Sequence, residues 1–323
     1  MTTYTLSLQE IGKDDFQVCG GKGANLGELT QLGARVPPGY CIVAGALQYL
    51  IGANSLEGRI AEIAEQLDFD DFEGVEAATT RIRALIADAD IPADLETEIR
   101  ERYRALVAGG RGYVAVRSSV AVKDSPVSSF PGMMDTYHYV LGEPEVVARI
   151  RECWASLWTG RAAFARQRQG IAHDRGLIAP VVQLMIDADT AGVLFTANPI
   201  TQATTEIVIE SNWGIGESVV SGKSMNDFFV LDKESLATRE RRIARKNLMV
   251  TMDDGTGSGR VERPVPPERA GEPTLTDAQL AELAQTSKRI EDHFGFPVDV
   301  EWAYEAGTLY VLQARRIRNL PQQ

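Results

Sequence analysis

Gly20, Gly21 and Gly23 surround Lys22 near the start of the chain. Glycines at that spacing let the backbone turn sharply and aim its N–H groups at anionic oxygens, with the lysine cation above them. Near the other end stand Glu301, Gln313 and Arg315. A carboxylate and an amide oxygen suit a hard, octahedral Mg²⁺ that also takes phosphate oxygens, and an arginine suits the phosphates themselves. Together these residues are the inventory for holding a magnesium nucleoside triphosphate. The glycine segment is not a P-loop, because G-x-x-x-x-G-K-[ST] would need glycine at Phe16 and serine or threonine at Gly23.

The elements that must position these groups can be read from pattern. Asn25 to Gln31 reads as a helix closed by Gly33. Val298 to Tyr304 and Thr308 to Gln313 read as strands joined by a turn at Glu305, Ala306 and Gly307, so that Glu301 and Gln313, twelve positions apart, face each other across a hairpin. Asp299 is either a further ligand or a strand end. Polar residues such as Gln313 and Arg315 beside Leu312 and Ala314 require partners if they are buried.

Between these ends, Gly39 to Val43 and Gly112 to Arg117 read as strands, and Leu56 to Ala108 as amphipathic helices broken near Asp68–Asp71 and Ile91–Pro92. The segment from Ser118 to Thr136 is too small and too rich in glycine, serine and proline for regular structure. A helical stretch follows from Glu143 to Gln169, then strands near Ala179–Ile186, Gly192–Thr196 and Glu206–Glu210, and further β-structure from Met225 to Ala244. Asp253 to Thr274 reads as a lid or linker. Thr276 and Gln279 form a capping box for a helix with Leu280, Leu283, Ala284, Ile290 and Phe294 on one face, ended by Gly295.

Composition sets the bounds. A chain of 323 residues, 44% hydrophobic and 24% charged, is ordinary for a globular protein of two lobes. Its formal net charge of −12 argues against general affinity for nucleic acid or an anionic membrane, so a phosphate site must be a local basic pocket, with Lys22, Arg117 and Arg315 as candidates. Cys19, Cys41 and Cys153 are odd in number and widely spaced, which fits reduced thiols. No export signal and no apolar run of about 18 residues is present, so the expected location is cytoplasmic.

Six ordered blocks, GGKGANLGEL…GARVPPGY, YVAVRSSVAVKDSPVSSFPGMMDTY, CWASLWTGRAAFAR, VVQLMIDADTAGVLFTANPIT, IVIESNWGIGESVVSGK and VDVEWAYEAGTLYVLQAR, resemble the nucleotide-binding domain shared by phosphoenolpyruvate synthase, pyruvate phosphate dikinase and rifampin phosphotransferase. The resemblance covers essentially the whole chain. It implies an α+β, ATP-grasp-like architecture of two lobes, residues 1–188 and 189–323, with ATP in the cleft between them. It places Lys22, Arg117 and Arg315 on the phosphates as catalytic groups, Gly132 to Thr136 over the terminal phosphates with Thr136 donating, and Gln183, Leu184 and Met185 at the adenine. Glu301 and Gln313 match the metal-binding pair.

The sequence also departs from the family pattern. Lys123 stands where an acidic residue is usual, Asp124 retains one, and Arg316 follows Arg315 where proline is common. His138, His173 and His293 sit in contexts unlike the family's phosphorylatable histidine, and no pyruvate-binding domain is present. The resemblance therefore implies a phosphotransferase domain or subunit that cleaves Mg·ATP to AMP, handing the β-phosphoryl group to a histidine on a carrier domain or protein in trans and the γ-phosphate to water, phosphate or an equivalent acceptor. A self-contained small-molecule kinase or ligase, or a nucleotide-binding module without turnover, are the alternatives.

Overall fold

The computed structural model describes residues 3–122, 135–317 and 320. The chain is α+β and divides into two compact units, Met1–Glu28 with Pro38–Met185, and Leu29–Pro37 with Ile186–Gln323. Leu29–Pro37 thus groups with the second unit, although sequence order had placed it in a first lobe of residues 1–188.

The strands of the first unit are β1 (Thr5–Ser7), β2 (Gly39–Ile42), β3 (Tyr113–Arg117), β4 (Val120–Val122), β5 (Thr136–Leu141), β6 (Gly176–Ile178) and β7 (Val181–Leu184). Five of them form an antiparallel sheet in the order β1-β2-β7-β3-β5, while β4 pairs with β6. The Val120–Val122 strand corrects the expectation that everything after Ser118 would be irregular. Its pairing with Gly176–Ile178 comes from a distant segment, which local composition cannot report.

The helices of this unit are α1 (Phe16–Gln31), α2 (Ala44–Ala53), α3 (Glu57–Glu65), α4 (Phe72–Ala87), α5 (Ala93–Val107), α6 (Glu143–Ala155) and α7 (Gly160–Arg168). The breaks fall where turn chemistry demands them. Asp71 accepts the Gly74 N–H as the N-cap of α4, and Pro92 precedes α5. Val114, Val116, Val140 and Val182 project from one sheet face into a core with Ile82, Ile86, Leu95, Ile99, Ile150 and Trp154 from α4, α5 and α6. That face is therefore closed by helices, and the alternating residues of the same strands emerge on the other face.

His173 sits beside α7. Arg166, fully buried, donates from Nε to His173 Nδ1 at 3.3 Å and from a terminal nitrogen to the Leu157 carbonyl, with its guanidinium 4.9 Å from the Trp158 ring centroid. Burial, reinforced by Arg166, pulls the His173 imidazole down to about 4. Between that value and the ordinary value near 6.5, the unfolded chain binds a proton that the folded chain refuses. Folding stability should therefore be level above about pH 6.5 and fall as pH drops toward about 4. His173→Gln, which keeps an acceptor but cannot titrate, should lose less stability across that window in thermal melts at stepped pH.

The second unit contains β8 (Thr190–Phe195), β9 (Glu206–Trp213), β10 (Asp227–Asp232), β11 (Thr238–Arg242), β12 (Leu248–Met252), β13 (Arg260–Pro264), β14 (Val298–Glu305) and β15 (Thr308–Arg316), with helices α8 (Glu217–Val220) and α9 (Asp277–Phe294). Six strands form an antiparallel sheet in the order β11-β10-β9-β8-β14-β15. The exposed edge strand β11 carries Arg239, Glu240, Arg241 and Arg242, charges that discourage pairing with another chain. On the opposite edge the Val311 N–H donates to the Arg35 carbonyl at 2.9 Å, which ties Leu29–Pro37 to this unit.

Helix α9 begins and ends as its sequence requires. Thr276 and Gln279 form a reciprocal capping box, and Gly295 closes the helix in the left-handed conformation. Leu280, Leu283, Ala284 and Ile290 pack on Leu194, Ile207, Ile209, Val298, Val300, Trp302 and Tyr304 from one face of the sheet. The expected lid or linker from Asp253 to Thr274 instead contains β13, which pairs with β12 as a hairpin. Gly255, Gly257 and Gly259 occupy the connecting turn, where Gly257 and Gly259 have positive φ. Among the described residues no helix is long and apolar enough to cross a membrane.

Candidate functional site

In the first unit the register of the five-stranded sheet sets Arg117 beside Thr136 and Gln183, two other residues expected at the nucleotide. Arg117, at the end of β3, stands directly opposite Thr136 of β5. One pair further along β3, Ala115 opposes Gln183 of β7, which puts Gln183 on the same face as Arg117. The Arg117 guanidinium donates to Gln183 Oε1 at 3.0 Å, and both side chains are buried, Gln183 at 2% exposure. Gln183 therefore orients the arginine. The Leu184 and Met185 N–H groups are used by the Pro38 and Tyr113 carbonyls, at 2.8 and 3.0 Å.

Lys22 reaches this region through a cap supplied from far along the chain. Gly20 breaks α1 with φ of +67°, and a fresh helical run starts immediately after it. Ser119 Oγ accepts the N–H groups of Lys22 and Gly23, both at 3.1 Å, and donates to the Cys19 carbonyl at 2.7 Å. It thus does the work of an N-cap side chain across about a hundred residues of sequence. The approach is so close that a Cβ at Gly20 would lie 2.3 Å from Ser119 Oγ and 2.7 Å from the Val120 carbonyl oxygen. This corrects the expectation that these amides would point at a ligand. Two of them are satisfied by Ser119, and the glycines serve the packing of Lys22's turn against the Arg117–Ser118–Ser119 segment. The helix ends at Gly33, where Ala34 N–H bonds the Leu29 carbonyl and Gly33 N–H the Thr30 carbonyl.

Gly132, Lys123 and Asp124 lie outside the described residues. Arg316 places its guanidinium 5.0 Å from the Phe296 ring centroid, a stacking contact that proline could not make.

In the second unit Glu301 and Gln313 are direct partners across β14 and β15, as the sequence predicts, but the cause differs. The turn is two residues long, with φ of 48° at Ala306 and 75° at Gly307, the type I′ geometry. Pairing runs outward from it as Glu305 with Thr308 and Trp302 with Val311. Continued without interruption, that register would set Gln313 opposite Val300 and Arg315 opposite Val298, with both polar side chains directed into the α9 core. A bulge between Glu301 and Trp302 inserts Leu312 and shifts the register by one. Gln313 and Arg315 are thereby carried to the face that also bears Glu301 and Asp299.

Asp299 joins this group. Its Oδ2 accepts from Arg315 Nε at 2.7 Å, yet its buried Oδ1 has no hydrogen-bond partner. The residue is only 6% exposed, and burial raises its carboxyl above the ordinary carboxylate value, Arg315 pulling against that and Glu301 adding to it. A buried carboxylate oxygen without a donor beside a second carboxylate and an amide oxygen is the arrangement that a divalent cation satisfies. Among the described residues no three His, Cys, Asp or Glu side chains converge tightly enough to form a complete cage. The donor set therefore fits a cation that keeps part of its coordination for a ligand's oxygens.

The first unit holds the Lys22 and Arg117 set and the second the Asp299, Glu301, Gln313 and Arg315 set. The chain belongs to the pyruvate phosphate dikinase AMP/ATP-binding domain family, whose pattern matches residues 16–323. It is 38% identical to the phosphoenolpyruvate synthase of Pyrococcus furiosus over 98% of this chain and 44% of that protein. It is 40% identical to the probable phosphoenolpyruvate synthase of Methanothermobacter thermautotrophicus over 99% of this chain and 47% of that protein. With the rifampicin phosphotransferase of Bacillus cereus it shares 34% identity over 99% of this chain and 36% of that protein. The chain thus spans less than half the length of these curated relatives.

Proposed function

We propose that the chain binds Mg·ATP and passes the β-phosphoryl group to a histidine on a separate carrier domain or protein, leaving AMP, while the γ-phosphoryl group goes to water, inorganic phosphate or an equivalent acceptor. The observation that carries the reading is the bulge-directed set Asp299, Glu301, Gln313 and Arg315, with its unpartnered Asp299 oxygen, in a chain of this family. Glu301 and Gln313 would hold Mg²⁺, with Asp299 Oδ1 beside them. Bound there, the ion supplies charge neutralisation for the phosphates and a template for their orientation. Lys22 and Arg117 take the phosphate oxygens as cationic donors, Gln183 fixing the Arg117 fork, and Thr136 adds a hydroxyl opposite that arginine. Arg315, tethered to Asp299, keeps a positive charge beside the carboxylates.

The adenine is assigned to the neighbourhood of Gln183, Leu184 and Met185, where the apolar side chains would contact the base and the Leu184 and Met185 N–H groups are already bonded within the protein. An ATP-grasp-like arrangement, with the nucleotide in the cleft between two lobes, is the geometry in which the two half-sets would act together.

The histidine acceptor is assigned to another domain because the sequence contexts of His138, His173 and His293 are unlike that of the family's phosphorylatable histidine, and His173 is held as an acceptor for Arg166. Phosphoryl transfer needs an acceptor in line and within about 3–3.5 Å of phosphorus. Incubated with β-labelled ATP and a protein bearing a family-type histidine domain, the chain should generate AMP and label that partner, while alone it should gain no acid-labile phosphohistidine. A phosphohistidine found by mass spectrometry on His138, His173 or His293 would overturn the reading in favour of a self-contained kinase.

A further inference from the structure

We propose that Glu210 receives the ribose hydroxyls of the nucleotide, an inference that rests on the Mg·ATP reading above. The register of the six-stranded sheet aligns one residue from each strand in a transverse row, Gln313, Glu301, Val193, Glu210, Phe228 and Arg242. Directly opposed residues share a face, so Glu210 lies on the face that carries Glu301 and Gln313, away from α9. Two strand spacings of about 4.8 Å put its Cα roughly 10 Å from that of Glu301, with the small apolar Val193 between them.

That separation and the charge of Glu210 decide what it can bind. The intervening valine separates it from the Glu301 set as a cation ligand, and no tight cluster of three acidic or other metal-binding side chains forms among the described residues. A carboxylate only accepts hydrogen bonds and repels phosphate oxygens. On a nucleoside triphosphate the donors are the ribose hydroxyls and the exocyclic amine of the base. Of these, the ribose is nearer to phosphates anchored at Glu301, separated from them by a few bonds.

The side chain is also held in place. Asn226 Nδ2 donates to Glu210 Oε2 at 3.4 Å, and Asn226 Oδ1 in turn accepts from Asn212 Nδ2 at 3.3 Å. Asn212 is fully buried and pinned by the Trp213 N–H, which donates to its Oδ1 at 2.7 Å. Among the described residues this is the one hydrogen bond of the half-buried Glu210 carboxylate, which leaves Oε1 for a hydroxyl donor.

The test compares two ligands on each protein by calorimetry, Mg·ATP and Mg·2′,3′-dideoxy-ATP, so that any loss of folded fraction cancels in the ratio. The wild-type chain should bind the dideoxy compound about tenfold more weakly, the scale of a lost hydrogen bond to a charged acceptor. In Glu210→Gln and Glu210→Ala the two affinities should come within about twofold of each other, while binding remains Mg²⁺-dependent. Mg²⁺-dependent ATP binding with no preference for the hydroxyls, or a preference that survives both substitutions, overturns the inference alone. Failure of the wild-type chain to bind Mg·ATP overturns the nucleotide reading and this inference with it.

Discussion

Glu301→Ala and Gln313→Ala should each abolish the Mg²⁺ dependence of ATP binding and weaken the Mg·ATP complex by at least about a hundredfold. Outer partners of metal ligands already cost about 10–100-fold when removed, and a direct ligand should cost more. Each substitution removes one oxygen from a set that holds few protein donors to begin with. The matching measurement is calorimetry with Mg·ATP against ATP in chelator, where the wild-type difference should be large and the variants' difference should vanish. Lys22→Ala and Arg117→Ala act differently, because they remove phosphate contacts and leave the cation's ligands in place. Their binding should stay Mg²⁺-dependent and weaken by about 1.5–3 kcal/mol each. If Glu301→Ala bound Mg·ATP as tightly as the wild type, the hairpin would not be the metal site.

The second large effect is on stability and arises away from the chemistry. Lys246 and Asp227 form a fully buried ion pair at 2.6 Å, both side chains at 0% exposure. Every charge in it is met. The Lys246 ammonium also donates to the Ala244 carbonyl, and Asp227 accepts from the Ala244 N–H, the Thr274 N–H and the Thr274 hydroxyl. The network joins β10 to the segments just before β12 and just before α9. Lys246→Met would leave the Asp227 carboxylate buried without its counter-charge, which costs about 3–5 kcal/mol. Urea unfolding followed by a probe in the second unit should show that loss. The double variant Asp227→Asn with Lys246→Met should lose less, since it leaves no unpaired charge and the amide oxygen can still accept from backbone. Equal stability of Lys246→Met and wild type would mean that the pair is solvated in solution.

Sequence pattern is strongest where the determinant is local. The capping box of Thr276 and Gln279, the left-handed Gly295 and the apolar stripe of α9 all lie within one helix, and their physics needs no partner from elsewhere. The breaks at Asp71 and Pro92 and the alternating strands of the final hairpin are equally local. The residues proposed for the phosphates and the metal were legible for a related reason. Lysine, arginine, glutamate and glutamine carry their chemistry in the side chain, and the order of six motif blocks survives in the linear text.

The tertiary structure alone decided which way those groups face and what holds them. An uninterrupted register from the Ala306–Gly307 turn would bury Gln313 and Arg315 under α9, and the bulge at Leu312 that prevents it depends on how the whole hairpin packs between β8 and the core. Ser119 could not be recognised as the cap of the Lys22 turn, because a hydroxyl that satisfies amides about a hundred positions away leaves no local signature. Gln183 reads as an ordinary strand residue until Arg117 is placed diagonally across from it. Lys246 and Asp227 look like surface charges in a loop and at a strand end until burial makes each the other's necessary partner. Residue types determine which interactions this chain can make. The long-range pairing of strands determines which of them it does make, because a one-residue shift in register turns a ligand-facing side chain into a core-facing one.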